Sequence, residues 1–169
     1  AAELTVKGLE KPKNYGGFNG FCFSPDMQIL AGATEEVTST DERGRKSAAG
    51  GDVILWSTDS LKMSKKLGKQ KGVSWSAFDQ AGKTLISLSE KTGEVSVWDL
   101  SARGKRTQNV NLGAPVHCAP FIPLVALSPD GNLLIAVLEH SFQVGENKQR
   151  EGGDLVAWNL RTGKEKWRI

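Results

Sequence analysis

Gly51-Asp52-Val53-Ile54-Leu55-Trp56, Gly93-Glu94-Val95-Ser96-Val97-Trp98 and Gly153-Asp154-Leu155-Val156-Ala157-Trp158 are three copies of one pattern, Gly-[Asp/Glu]-x-x-x-Trp. An internal repeat of this kind constrains architecture more than any single residue does. Upstream of each copy a second element recurs, an apolar or aromatic residue followed by a turn: Phe23-Ser24-Pro25-Asp26, Phe78-Asp79-Gln80-Ala81-Gly82 and Leu127-Ser128-Pro129-Asp130-Gly131. The two elements keep the same order in all three units.

Each unit reads as four short strands. Phe18 to Phe23, Val73 to Phe78 and Phe121 to Leu127 are short apolar runs stopped by Pro, Asp or Gly, which suits an inner strand entering a tight turn. A second run follows at Gln28 to Ala33, Thr84 to Leu88 and Leu133 to Leu138, and a third begins at the repeated acidic residue and ends on the tryptophan. No apolar period of 3.6 residues is sustained, and the Val, Ile, Leu and Trp content favours strands. A fourth, more polar run follows each tryptophan, at Leu61 to Lys66, Arg106 to Leu112 and Lys164 to Ile169, as an outer edge requires.

Four-stranded units with a Trp-Asp-like dipeptide resemble the WD40-repeat family of β-propellers, and Val97-Trp98-Asp99-Leu100 carries that signature in its usual form. Ser57 and Asn159 stand where the sister copies would have the Asp, and the Gly-His pair typical of such repeats is missing from all three, with His117 near its place before the third unit. The resemblance implies a hydrogen-bonded His, Ser/Thr, Trp and Asp network; here it leaves Trp56, Trp98, Trp158 and Asp99 as the structural positions. The segment from Ala157 through Thr162-Gly163-Lys164 to Trp167 also resembles the tryptophan-docking repeat of quinoprotein propellers, which implies an enzyme as the alternative. The expected fold is all-β: a leading strand within residues 1–17 around Leu4, Val6 and Leu9, then blades at 18–72, 73–117 and 118–169.

Closed propellers have about 4 to 8 blades, so three leave two apolar flanks to cover. Either two copies form a six-bladed ring, or the chain is a segment of a larger propeller, in the same polypeptide or completed by another subunit. A purely structural role, with these blades completing a larger ring, is the third functional reading.

From Phe23, Phe78 or Leu127 to the repeated glycine is 28, 15 and 26 residues, so the outer two units carry long polar insertions between their second and third strands. Their charged and polar residues, Glu35, Glu36, Asp41, Arg43, Arg45, His140, Glu146, Lys148 and Arg150, are the candidate partner-binding set, since long loops on a rigid scaffold commonly carry recognition. The expected function is a non-catalytic protein-interaction scaffold with a protein partner.

Other classes find less support. A net charge of +3, from 22 basic and 19 acidic residues, is sparse for phosphate neutralisation, and no nucleic-acid partner is expected. The Lys62 to Lys71 run reads as a solvated edge. His117 and His140 sit in no nucleophile motif, the adjacent acidic pairs form no calcium loop, and no glycine cradle opens a helix, so no catalytic residue, metal or cofactor is expected. Cys22 and Cys118 lack metal or redox spacing; Cys22, between Phe21 and Phe23, reads as a core residue, with its redox state open. No apolar stretch approaches the roughly 20 residues that span a bilayer. A start at Ala1-Ala2-Glu3 suggests either a removed signal peptide or an excerpt of something longer, with a lean towards a bacterial exported protein.

Overall fold

The computed structural model describes residues 15–40, 42, 46–49, 51–60, 62–117, 124–143 and 149–169, with the backbone only at 15–17, 35–40, 46–49, 140–143 and 149–152. Every regular element among them is a strand, and the strands form three antiparallel sheets. The first holds β1 (Tyr15–Phe23), β2 (Ile29–Thr40), β3 (Lys46–Ala49), β4 (Gly51–Ser57) and β5 (Met63–Gln70), in the order β1-β2-β4-β5 with β3 also paired to β2. The second runs β6 (Trp75–Phe78), β7 (Thr84–Ser89), β8 (Glu94–Asp99) and β9 (Lys105–Asn111), and the third β10 (Val125–Leu127), β11 (Leu133–Gln143), β12 (Gln149–Asn159) and β13 (Lys164–Arg168). Each is an up-and-down meander, the form of a propeller blade.

The recurring turn has one chemistry. In the first and third blades a serine hydroxyl accepts the amide at the start of the second strand, Ile29 to Ser24 and Leu133 to Ser128, each at 2.9 Å. That hydroxyl donates to the aspartate two residues on, Ser24 to Asp26 at 2.6 Å and Ser128 to Asp130 at 2.5 Å. In the middle blade Asp79 replaces serine and accepts the amides of Lys83 and Thr84 itself, at 2.8 and 3.0 Å. Side-chain oxygens thus take up amides that the sheet ladder cannot reach. The repeated glycine also has a steric reason in the first blade, where a Cβ on Gly51 would lie 1.4 Å from the Thr34 carbonyl oxygen.

The sheets stack face to face. Between the first and second lie Ala31, Ala33, Val53 and Leu55 against Leu85 and Trp98; between the second and third, Ile86, Leu88, Val95 and Val97 against Leu134, Leu138, Val156 and Leu160. At about 25 cal/mol per Å² of apolar surface removed from water, these two layers are the main source of stability.

The strands expected within the three blades are present with shifted ends, β1 starting at Tyr15 and β5 running from Met63 to Gln70. Leu4, Val6, Leu9, Leu61, Phe121 and Cys118 lie outside the described residues. The insertions, whose polarity reads either as partner-binding loops or as extended, twisted hairpins, take the hairpin form. β2 continues to Thr40 and pairs with β3 through Thr40↔Lys46, and β11 pairs with β12 as far as Gln143↔Gln149. They are two-stranded ribbons that prolong the blades, because cross-strand backbone hydrogen bonds satisfy polar chain without an apolar face.

Candidate functional site

Of the residues singled out for recognition, Glu35 and Glu36 lie in β2, opposite Gly17 and Tyr15. His140 lies in β11 opposite Gly152, and Arg150 in β12 opposite Phe142. Asp41, Arg43, Arg45, Glu146 and Lys148 lie outside the described residues. The ladder register therefore brings His140 and Arg150 onto one ribbon, and Glu35 and Glu36 onto the other. Both ribbons leave the same end of the stack, because both prolong the connection between the second and third strands, and the short Glu90 to Gly93 turn of the middle blade lies between them.

The tryptophans brace the blades in three different ways. The Trp98 indole nitrogen donates to the Ser87 hydroxyl at 2.8 Å, and that hydroxyl donates to Gln70 Oε1 at 2.5 Å. Gln70 Nε2 in turn donates to the carbonyls of Ser87 and Glu94 at 3.3 and 3.1 Å, linking the last strand of the first blade to the middle of the second. Gln70 can accept from Ser87 and donate across the junction at once because its amide offers one donor and one acceptor edge. The Arg106 guanidinium lies 4.5 Å from the centre of a Trp98 ring and donates to the Lys69 carbonyl, tying β9 to the first blade. Trp56 instead packs edge-on against Phe18, with ring centres 5.9 Å apart, and against Phe21. In the third blade Ala136 replaces the serine, and the buried Trp158 indole nitrogen has no partner among the described residues.

Asp99 is a turn residue: its carboxylate accepts the Ser101 hydroxyl at 2.6 Å and the Ser101 and Ala102 amides at 2.9 and 3.0 Å. The repeated acidic residue anchors the fourth strand in two blades, Asp52 to Lys66 at 2.6 Å and Asp154 to Arg168 at 2.7 Å.

Grooves of about 440 and 250 Å³ run between neighbouring blades at the turn end of the stack, and their walls correspond position by position. Leu55, Lys65, Gly82, Lys83 and Leu100 of the first match Val97, Gln108, Gly131, Asn132 and Leu160 of the second. The carboxylates at the second groove are tied into turns. Ser101 and then Ala102 hold Asp99 below the usual carboxylate range, and Ser128 and then Asn132 hold Asp130 down to about 2. Such groups stay ionised at neutral pH and are not poised to give up a proton. His117 faces Glu139, Nδ1 to Oε1 at 3.4 Å, with both side chains part-exposed. Cys22 Sγ lies 3.0 Å from the Ser76 hydroxyl, and burial pushes its thiol up to about 11, so it is not an activated nucleophile. Among the described residues no three of His, Cys, Asp and Glu converge as a metal site, and no helix is long and apolar enough to cross a membrane.

Gln70, Ser87 and Arg106 were not singled out from sequence. Ser87 carried a signal, as a polar residue inside the apolar run Leu85-Ile86-Ser87-Leu88; the role of Gln70 depends on a neighbouring blade and left none.

No protein-family model matches the chain, and no curated protein matches it. Solved structures do. The β-propeller domain of Cps50 (Swd1) from Myceliophteria thermophila superposes with a TM-score of 0.53 at 17% identity, covering 94% of this chain and 57% of that one. A eukaryotic initiation factor structure gives a TM-score of 0.62 at 9% identity, covering 93% and 33%, and the hydrazine synthase of Kuenenia stuttgartiensis 0.51 at 15%, covering 97% and 52%. The likeness is one of fold: the chain has the architecture of β-propeller blades. It spans from a third to somewhat over half of these structures.

Proposed function

We propose that the chain is a non-catalytic protein-interaction scaffold whose recognition elements are the two polar β-ribbons. The observation that carries this reading is their placement. Two insertions of nearly matched length, rich in charge of both signs, are built as continuations of packed sheets at one end of the stack. Strand-built display holds side chains more rigidly than a loop and lowers the ordering cost of binding. The chemistry of the grooves points the same way, since their carboxylates are committed to turns.

The test replaces residues 34–50 by the short connection of the middle blade, and in a second variant reverses charge at Arg43, Arg45, Lys148 and Arg150. Both variants should keep the circular dichroism and melting transition of the parent while losing specific capture of a partner from native lysate. Capture that survives both changes overturns the reading and favours a structural role for these blades. The Thr162-Gly163-Lys164 turn and Trp167, which resemble the quinoprotein tryptophan-docking repeat, motivate a quinoprotein-like enzyme as the second reading. A quinone titration followed by absorbance separates the two: a saturable spectral change supports the enzyme.

A further inference from the structure

The two grooves at the turn end of the stack are built from equivalent positions, and they differ in one consistent direction. Between the second and third blades the polar side chains are committed to the protein itself. Gln108 Nε2 donates to the Arg161 carbonyl at 3.1 Å, which latches the last strand of one blade to a turn of the next. Asn132 Nδ2 donates to Asp130 at 3.0 Å, and the carboxylates of Asp99 and Asp130 accept hydroxyls within their own turns.

Between the first and second blades Lys65 stands at the position of Gln108, and Lys83 at that of Asn132. Neither ammonium group forms an ion pair or a hydrogen bond among the described residues. Lys65 lies over the bare backbone of Gly104 in the next blade, and Lys83 is exposed. Both acids are absent, since Ser57 occupies the place of Asp99 and Ala81 that of Asp130. Ile29 replaces Thr84, so Ile29, Leu55 and Leu100 give this groove a wholly aliphatic floor. The backbone is the same in both, because the Ser64 and Thr107 hydroxyls bond back to the Leu55 and Val97 carbonyls at 3.1 and 3.3 Å. What differs is the side chains: one groove is latched and holds about 250 Å³, whereas the other is unlatched, cationic and about 440 Å³.

We propose that the groove between the first and second blades takes a short acidic segment of a protein partner. An apolar side chain of that segment sits on Ile29, Leu55 and Leu100, and carboxylates beside it meet Lys65 and Lys83. Charge complementarity selects the occupant, because two unpaired cations beside a low-dielectric wall attract carboxylates more strongly than they would in open water. The aliphatic floor adds a second requirement: only an apolar side chain that displaces its water gains from it. A polyanion without apolar groups satisfies the lysines and leaves the floor wet. The site lies at the opposite end of the stack from the ribbons and is independent of them.

The experiment is fluorescence anisotropy on the full chain with labelled peptides in which one leucine, isoleucine or phenylalanine is flanked on both sides by aspartate and glutamate. Two control sets carry serine in place of the apolar residue, or lysine in place of the acids. The acidic apolar set is expected to contain saturable binders whose affinity falls with added salt, while both control sets stay unbound. Lys65→Gln combined with Lys83→Asn installs the residues that the fold already carries at the sister groove, and should weaken binding roughly tenfold at an unchanged melting transition. Where the double variant does not fold, Lys65→Gln and Lys83→Asn singly make the same test. Replacing residues 34–50 by the short connection should leave peptide binding as it was, so a failure of the ribbon reading and a failure of this one are told apart. Absence of any binder in the acidic apolar set overturns the proposal. So does equal binding of the serine set, which marks a nonspecific polyanion effect, or binding indifferent to the lysine substitutions.

Discussion

Ser87 and Ser96 face each other across β7 and β8, both fully buried in aliphatic runs, and the fold treats them differently. The Ser87 hydroxyl accepts from Trp98 and donates to Gln70, whereas the Ser96 hydroxyl has no partner among the described residues. Removing a hydroxyl that satisfies others strands both partners, at a cost of about 1–3 kcal/mol, whereas removing one that satisfies nothing forfeits little. Ser87→Ala should therefore lower stability in urea by about 1–3 kcal/mol, while Ser96→Ala should fall within about 0.5 kcal/mol of the parent or above it. Equal losses at the two sites would show that the Trp98 brace contributes nothing beyond packing. The sequence marked Trp98 through its motif and left Gln70 unmarked, because a glutamine at the end of a polar strand has no local reason to be buried.

The turn between first and second strands is the element written most legibly in the sequence, since Ser24-Pro25-Asp26, Asp79 and Ser128-Pro129-Asp130 do there what their chemistry favours. Its fourth position takes a left-handed backbone in every blade, φ being 66° at Gly82, 71° at Gly131 and 60° at Met27. A side chain there is disfavoured by steric contact with the carbonyl, and Met27 is exposed, so no lost packing offsets a replacement. Met27→Gly should raise the urea midpoint, the stability rising by up to about 1 kcal/mol once the looser unfolded chain is counted. An unchanged or lowered midpoint would place the strain elsewhere. The ribbons were the least legible elements. With neither side of a ribbon forced into a core, no alternation of polar and apolar residues is selected, and the sequence leaves loop and extended hairpin both open.

At the scale of the molecule, and among the described residues, the middle blade packs against a neighbouring blade on both faces and each outer blade on one. Leu85, Ile86, Leu88, Val95 and Trp98 are buried, while every residue of β13 is exposed. Amides of β7 and β8 should exchange slowest with deuterium and those of β13 much faster, because opening the middle blade disrupts both apolar layers at once. Uniform protection across the sheets would show that the stack opens only as a whole. The sequence by itself determined the number of units, their strands and their turns, because Gly, Asp, Ser, Pro and the tryptophan act over a few residues and repeat with the chain. Only the tertiary structure decided which face of a blade meets which, what Gln70 does, and that the polar insertions are strands. Those outcomes depend on contacts between residues far apart along the chain, which burial and cross-strand hydrogen bonding select and local residue preference does not encode.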